Sequence, residues 1–172
     1  MKHNKSYSLK KVVYYLILVI IVSYSCSKKV SIKTNSKYFT AEIEGVVFTP
    51  CKDKFMGLPP LETRYKLAEK TLTIDANNTC DSPMSSIYIE LYNIENPGLY
   101  YLNTFNKAKI QYSHNRTFET DSIHTGYIEI IKLDLKENKI SANFEIEAIN
   151  KDSITISVLK GVIDNLHLSV YD

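Results

Sequence analysis

From Phe39 onward apolar and polar residues alternate along most of the chain, and a period of two marks strands with one buried face. Phe39, Ala41, Ile43, Gly45 and Val47 share one face over residues 39–48, with Thr40, Glu42 and Glu44 on the other, which predicts a half-buried strand. Gly45 within it predicts a bulge or a close backbone approach. Pro50 ends the run, and residues 51–60, with Gly57 and Pro59-Pro60, read as a long loop. Residues 61–69 are ambiguous, a short helix being favoured over a strand. Leu72, Ile74 and Ala76 alternate with Thr71, Thr73 and Asp75 in a second strand, and residues 77–83 have loop chemistry. Ile87, Ile89 and Leu91 oppose Tyr88, Glu90 and Tyr92 in a third. Asn96-Pro97-Gly98 predicts a turn that returns the chain as a strand over 99–104, followed by a short strand over 109–112. The stretch 114–125, from His114 to Thr125, is polar and loop-like. Residues 126–135 and 139–149 then form the clearest hairpin, turning at Lys136-Glu137-Asn138, with Ile140, Ala142, Phe144, Ile146 and Ala148 on one face. Residues 153–159 are a strand, Lys160-Gly161 a turn or bulge, and 162–170 a last strand. About nine short strands with almost no helix predict an all-β domain, either an antiparallel β-sandwich or a partly closed barrel.

The N-terminus follows a different pattern. Lys10-Lys11 opens an apolar run over residues 12–22 that closes on Ser23-Tyr24-Ser25-Cys26. As a helix that run rises about 16 Å, too short to span a bilayer, so residues 1–25 read as a secretory signal peptide. Small residues before a cysteine at the end of such a run resemble the lipobox of bacterial lipoproteins of the Bacteroidetes type, with Ser23 where the usual box has Leu. The resemblance implies that Cys26 carries a diacylglycerol, becomes the first residue, and anchors the chain to the outer membrane. Residues 26–38, rich in Lys and Ser, then form a flexible tether, and residues 39–172 the β domain. In that family, acidic residues after the cysteine mark export to the outer face. Ser27-Lys28-Lys29 therefore implies a periplasm-facing domain.

Charge and cysteine content narrow the function. The whole chain carries +2, but Lys2, Lys5, Lys10 and Lys11 leave with the signal and no acid does, so the remainder is slightly acidic at −2. A near-neutral domain has no electrostatic footprint for nucleic acid. Lipid on Cys26 leaves Cys51 and Cys80, which an oxidising compartment allows to close a disulfide loop of about 30 residues; the alternative is two unpaired thiols.

Residues 39–48, Gly98-Leu99-Tyr100, Gly126-Tyr127-Ile128-Glu129-Ile130 and Ser141-Ala142-Asn143-Phe144-Glu145 resemble a family of Bacteroidetes lipoproteins known only as a domain of unknown function. The resemblance covers most of residues 39–166 and implies a β fold without catalytic residues.

Candidate chemistry is sparse. His114 and His124 share a polar loop with Glu119 and Asp121, where a metal site or an acid/base pair is conceivable, but the spacing matches no ligand motif. His167, between Leu166 and Leu168, reads as a surface residue. No nucleophile elbow, zinc-protease motif or phosphate loop occurs, so no cofactor or metal is expected. Tyrosines 38, 65, 88, 92, 100, 101, 112, 127 and 171 are candidates for a ligand face. Asp121-Ser122-Ile123 and Asp152-Ser153-Ile154 resemble the O-glycosylation pattern of Bacteroidetes exported proteins, which implies modification of Ser122 or Ser153. The leading expectation is a membrane-anchored, non-enzymatic binding or envelope-structural module whose partner is an envelope protein or glycan. The alternative is a periplasmic carrier or hydrolase with a pocket near the 114–125 loop.

Overall fold

The computed structural model describes residues 38–51, 59–82, 84–112 and 116–172. The expected signal segment, nearly all of the tether, Cys26 and His114 lie outside the described residues. Within them the chain is all-β, with twelve strands in one sheet against the nine or so expected. These are β1 (Phe39–Ile43), β2 (Val46–Phe48), β3 (Leu61–Lys66), β4 (Thr71–Asn78), β5 (Ser85–Leu91), β6 (Gly98–Leu102), β7 (Lys107–Tyr112), β8 (Arg116–Glu119), β9 (Gly126–Asp134), β10 (Lys139–Ile149), β11 (Thr155–His167) and β12 (Ser169–Tyr171). The sheet runs β12-β3-β4-β5-β7-β8-β10-β11-β1-β2, with β9 branching from β10 and carrying β6. It curls into a half-barrel. It is also mixed rather than purely antiparallel, because β12 follows β11 after one residue, Leu168, and joins β3 in parallel.

Alternation decides what the curl encloses. Leu72, Ile74 and Ala76 of β4, Ile87, Ile89 and Leu91 of β5, and Ile140, Ala142, Phe144, Ile146 and Ala148 of β10 are all buried, as their period of two predicts. In β9 the alternation breaks at Ile131. Ser141 pairs with Lys132 but Ala142 with Ile130, so Ile131 is the extra residue of a bulge and points into solvent.

Several expectations are corrected. Residues 39–48 are not one strand but a hairpin. Ile43 pairs with Val46 across a two-residue turn, Glu44-Gly45, whose φ angles of 49° and 78° suit the right-handed twist of the flanking strands. Space around Gly45 is open, so a positive φ, and neither a bulge nor a close approach, is what its glycine serves. Residues 61–66 form strand β3, not a helix: Thr63 and Tyr65 turn inward and the Tyr65 hydroxyl donates to the Ile94 carbonyl at 2.5 Å. The loop expected over 114–125 contains β8, which folds back on β7 and buries Phe118. The strand after Pro97 does not return along β5. It crosses to β9, while β5 takes β7 as its partner.

The last two predicted strands form one long strand, β11, followed by the short β12. Its register on β10 slips twice, between the Ile140–Leu166 and Ala142–Ile163 pairs and between the Phe144–Gly161 and Ile146–Val158 pairs. Asn165 and Lys160, at φ 49° and 51°, lie at these slips, so the Lys160-Gly161 pair is a bulge and not a turn. Opposite Gly161 stands Phe144. A Cβ on Gly161 would lie 2.5 Å from three atoms of that ring, so only glycine leaves room for it. Phe144 packs 5.4 Å from Phe39, which in turn meets Phe48 edge-on at 6.0 Å, and this cluster joins β10 and β11 to β1 and β2. A Gly161→Ala substitution forces Phe144 out of place and is expected to cost about 1–3 kcal/mol, read as a lower midpoint in urea unfolding. An unchanged midpoint would contradict this packing.

Candidate functional site

Cys51 and Cys80 are joined in a disulfide with Cα atoms 5.7 Å apart. Backbone pairing brings them together. The Cys51 amide donates to the Asn77 carbonyl and the Thr79 amide to the Cys51 carbonyl, both at 2.9 Å, so Cys51 lies parallel to the end of β4 just beyond the reach of β3. Buried Asn78 shapes the other half: its Oδ1 accepts from the Cys80 and Asp81 amides at 3.1 and 3.2 Å, and its Nδ2 donates to Asp81 Oδ2 at 2.6 Å. By loop entropy this cross-link contributes about 3.5 kcal/mol. Replacing both cysteines by serine is expected to lower unfolding stability by that order in urea, and mild reduction of the unaltered protein should reproduce the loss.

The described part of the histidine loop is held by local hydrogen bonds. The Asp121 carboxylate accepts from the Ile123 amide at 2.7 Å and the His124 amide at 2.6 Å, with His124 Nδ1 at 3.3 Å. Those amides, His124 first, hold the Asp121 carboxyl below its ordinary range. Glu119 instead pairs with Lys109 at 3.3 Å, and no group of three metal-ligating side chains occurs among the described residues. The loop is tied down at both ends: Thr120 exchanges hydrogen bonds with Ala108, and the Thr125 carbonyl accepts from the Glu147 amide. His167 is exposed as expected, and its carbonyl accepts from the Thr63 hydroxyl. Ser122 and Ser153 are both exposed, Ser122 in this loop and Ser153 in the β10–β11 turn at a φ of 61°. A depressed folded pKa stabilises only above the unfolded carboxylate value and is lost as pH falls through the folded one. Acidification below about 4 should therefore shift the Ile123 and His124 amide resonances together, and Asp121→Ala should abolish the transition.

The tyrosines do not form one face. Tyr65 is buried, Tyr92 stacks on Phe105 at 5.2 Å, and Tyr88 sits on the outer face of β5 between Asp75 and Lys109. Only Tyr101 and Tyr127 pair directly, across β6 and β9, beside the Leu99–Glu129 pair. Here the outer face is apolar: Leu99 is 52% exposed, Tyr101 63% and Ile131 57%. Glu129 lies within it, opposite Leu99 and between Tyr127 and Ile131, Glu145 lies at its border opposite Tyr127, and burial followed by the Glu145 charge raises the Tyr127 phenol above its ordinary pKa. Neither glutamate has an ion-pair partner among the described residues. The sequence does carry a sign of this face, an uncharged stretch from Asn96 to Asn106, but alternation alone did not single it out.

Clefts open on the surface of the described residues, three of which bear on the candidate site. One of about 420 Å³ lies between β8 and the β10–β11 turn, beside Arg116, Glu119, Lys151 and Asp152. A second, about 390 Å³, separates the β1–β2 hairpin from the ends of β4, β5 and β7. The third, about 250 Å³, is a shallow hollow at Tyr127, Glu145 and Glu147. No protein-family model, curated protein or solved structure matches the chain.

Proposed function

We propose that the chain is a lipid-anchored, non-enzymatic binding module of the cell envelope, held at the outer membrane through Cys26 and facing the periplasm. The observation that carries this reading is an exposed apolar face on β6 and β9 laid over a core packed with buried aliphatic and aromatic side chains. A surface of that kind, carrying the Glu129 and Glu145 carboxylates, suits a protein partner that offers apolar side chains together with basic ones. The clefts are open to solvent, whereas a carrier that sequesters its cargo needs an enclosed pocket. The Cys51–Cys80 disulfide fits an oxidising compartment, and the Cys26 lipobox resemblance supplies the anchor. Of the two architectures expected for the domain, the single curled sheet favours a partly closed barrel over a sandwich.

The reading makes two demands. Cys26→Ala should move the protein from the membrane to the soluble fraction, and continued membrane association of the processed variant would rule out the anchor. A photo-crosslinking residue at Tyr101 should give one dominant protein adduct that is lost when Glu129 and Glu145 are both changed to Lys. The same probe at Tyr88 should give none. Equal labelling from both positions would remove the β6–β9 face as the partner site.

A further inference from the structure

The cleft between the β1–β2 hairpin and the ends of β4, β5 and β7 has two unlike walls. Ile43 and Phe48 form a buried floor, and Val46, exposed on the edge strand β2 and paired with Ile43, extends it into an apolar wall. Facing them are Asp81, Ser82, Ser85 and Tyr112. Asp81 Oδ2 is taken by the Asn78 amide, but Oδ1 accepts no hydrogen bond among the described residues. The hydroxyls of Ser82, Ser85 and Tyr112 likewise have no hydrogen-bond partner among those residues. Asp81 is the one charged residue among the described residues that line the cleft, and it carries a negative charge there.

We infer that this cleft is a binding site for a small organic ammonium ion with a compact apolar body. The ammonium donates to Asp81 Oδ1 and to the hydroxyl oxygens, which leaves its three N–H groups satisfied, while the apolar body lies against Ile43, Val46 and Phe48. An anion of the same shape is rejected, because it would bring a second negative charge to Asp81 with no cationic side chain among the described lining residues to offset it. The disulfide is the clamp of this site. Cys51 follows the apolar wall by three residues and Cys80 directly precedes Asp81, so the cross-link ties one wall to the other across the cleft. Amine binding therefore depends on the oxidised state. The site lies apart from the β6–β9 face, and neither proposal requires the other.

The test uses the intact protein and two probes of matched shape, phenethylamine and phenylacetate, followed by amide chemical shifts. Phenethylamine should cause saturable shifts at Val46, Val47, Asp81 and Ser82, and phenylacetate should cause none there. Exposed Asp81 can be changed to Asn without touching the core, and the loss of the charge-assisted bond should weaken phenethylamine about tenfold. Val46→Lys, which places a competing ammonium in the cleft, should weaken it comparably while leaving the rest of the spectrum in place. Reduction of the disulfide should also weaken binding. Equal binding of the two probes, shifts located elsewhere, or an unchanged affinity in Asp81→Asn would each overturn the site; unchanged affinity after reduction would overturn the clamp.

Discussion

The contact on which the sheet depends is the one between Phe144 and the bare backbone of Gly161. Strands β10 and β11 are the two longest in the protein and stand at its centre, with β1 on one side and β9 and β8 on the other. For the inner face to stay apolar along β11, that strand must absorb two extra residues, which it does at Lys160 and Asn165. Bulges of this kind raise local twist, and a twisted central pair makes the sheet coil instead of lying flat. Phe144 fills the space that the coil creates and hands the packing on to Phe39 and Phe48. A side chain at position 161 would compete for that volume.

The coil has consequences at both ends of the strand order. Chain leaving β11 passes the buried Leu168 and reaches β3 as β12, while chain leaving β2 reaches the end of β4 at Cys51. Both sheet ends are thus tied to β3 or β4, one by backbone pairing and the other by backbone pairing with a disulfide. The second tie creates the amphipathic cleft, since the hairpin must lie near β4, β5 and β7 for Cys51 to meet Cys80. A branch at β10 creates the other exposed feature. β9 occupies most of one edge of β10 and β8 only its last residue, so β9 leads away from the main path and carries β6 to an edge.

Some of this was plain in the residues. The inward faces of β4, β5 and β10 follow from alternation, and the β9–β10 hairpin from alternation with a polar turn. Misreadings share one cause. The stretch 61–69 taken alone is ambiguous and favours a short helix, yet Thr63 and Tyr65 are inward because β4 and Ile94 receive them. The hydrophobic pattern continues through Gly45 as through a strand, although its positive φ turns the chain. Residues 116–119 looked polar because only Phe118 of that strand is buried.

By itself, then, the sequence determined an all-β chain, the buried face of its regular strands, and a pair of cysteines available for bonding; its N-terminal pattern supports an exported lipoprotein. These properties depend on side-chain order along a few neighbouring residues, and a two-residue period carries them locally. Tertiary structure decided the number of strands, their partners, the parallel joining of β12 to β3, and the meeting of Cys51 with Cys80. It also decided which exposed groups share a surface: Leu99 with Tyr101 and Tyr127, and Asp81 with Val46. Alternation is the same whichever strand lies alongside, so pairing is settled by packing and backbone hydrogen bonds between segments far apart in the chain.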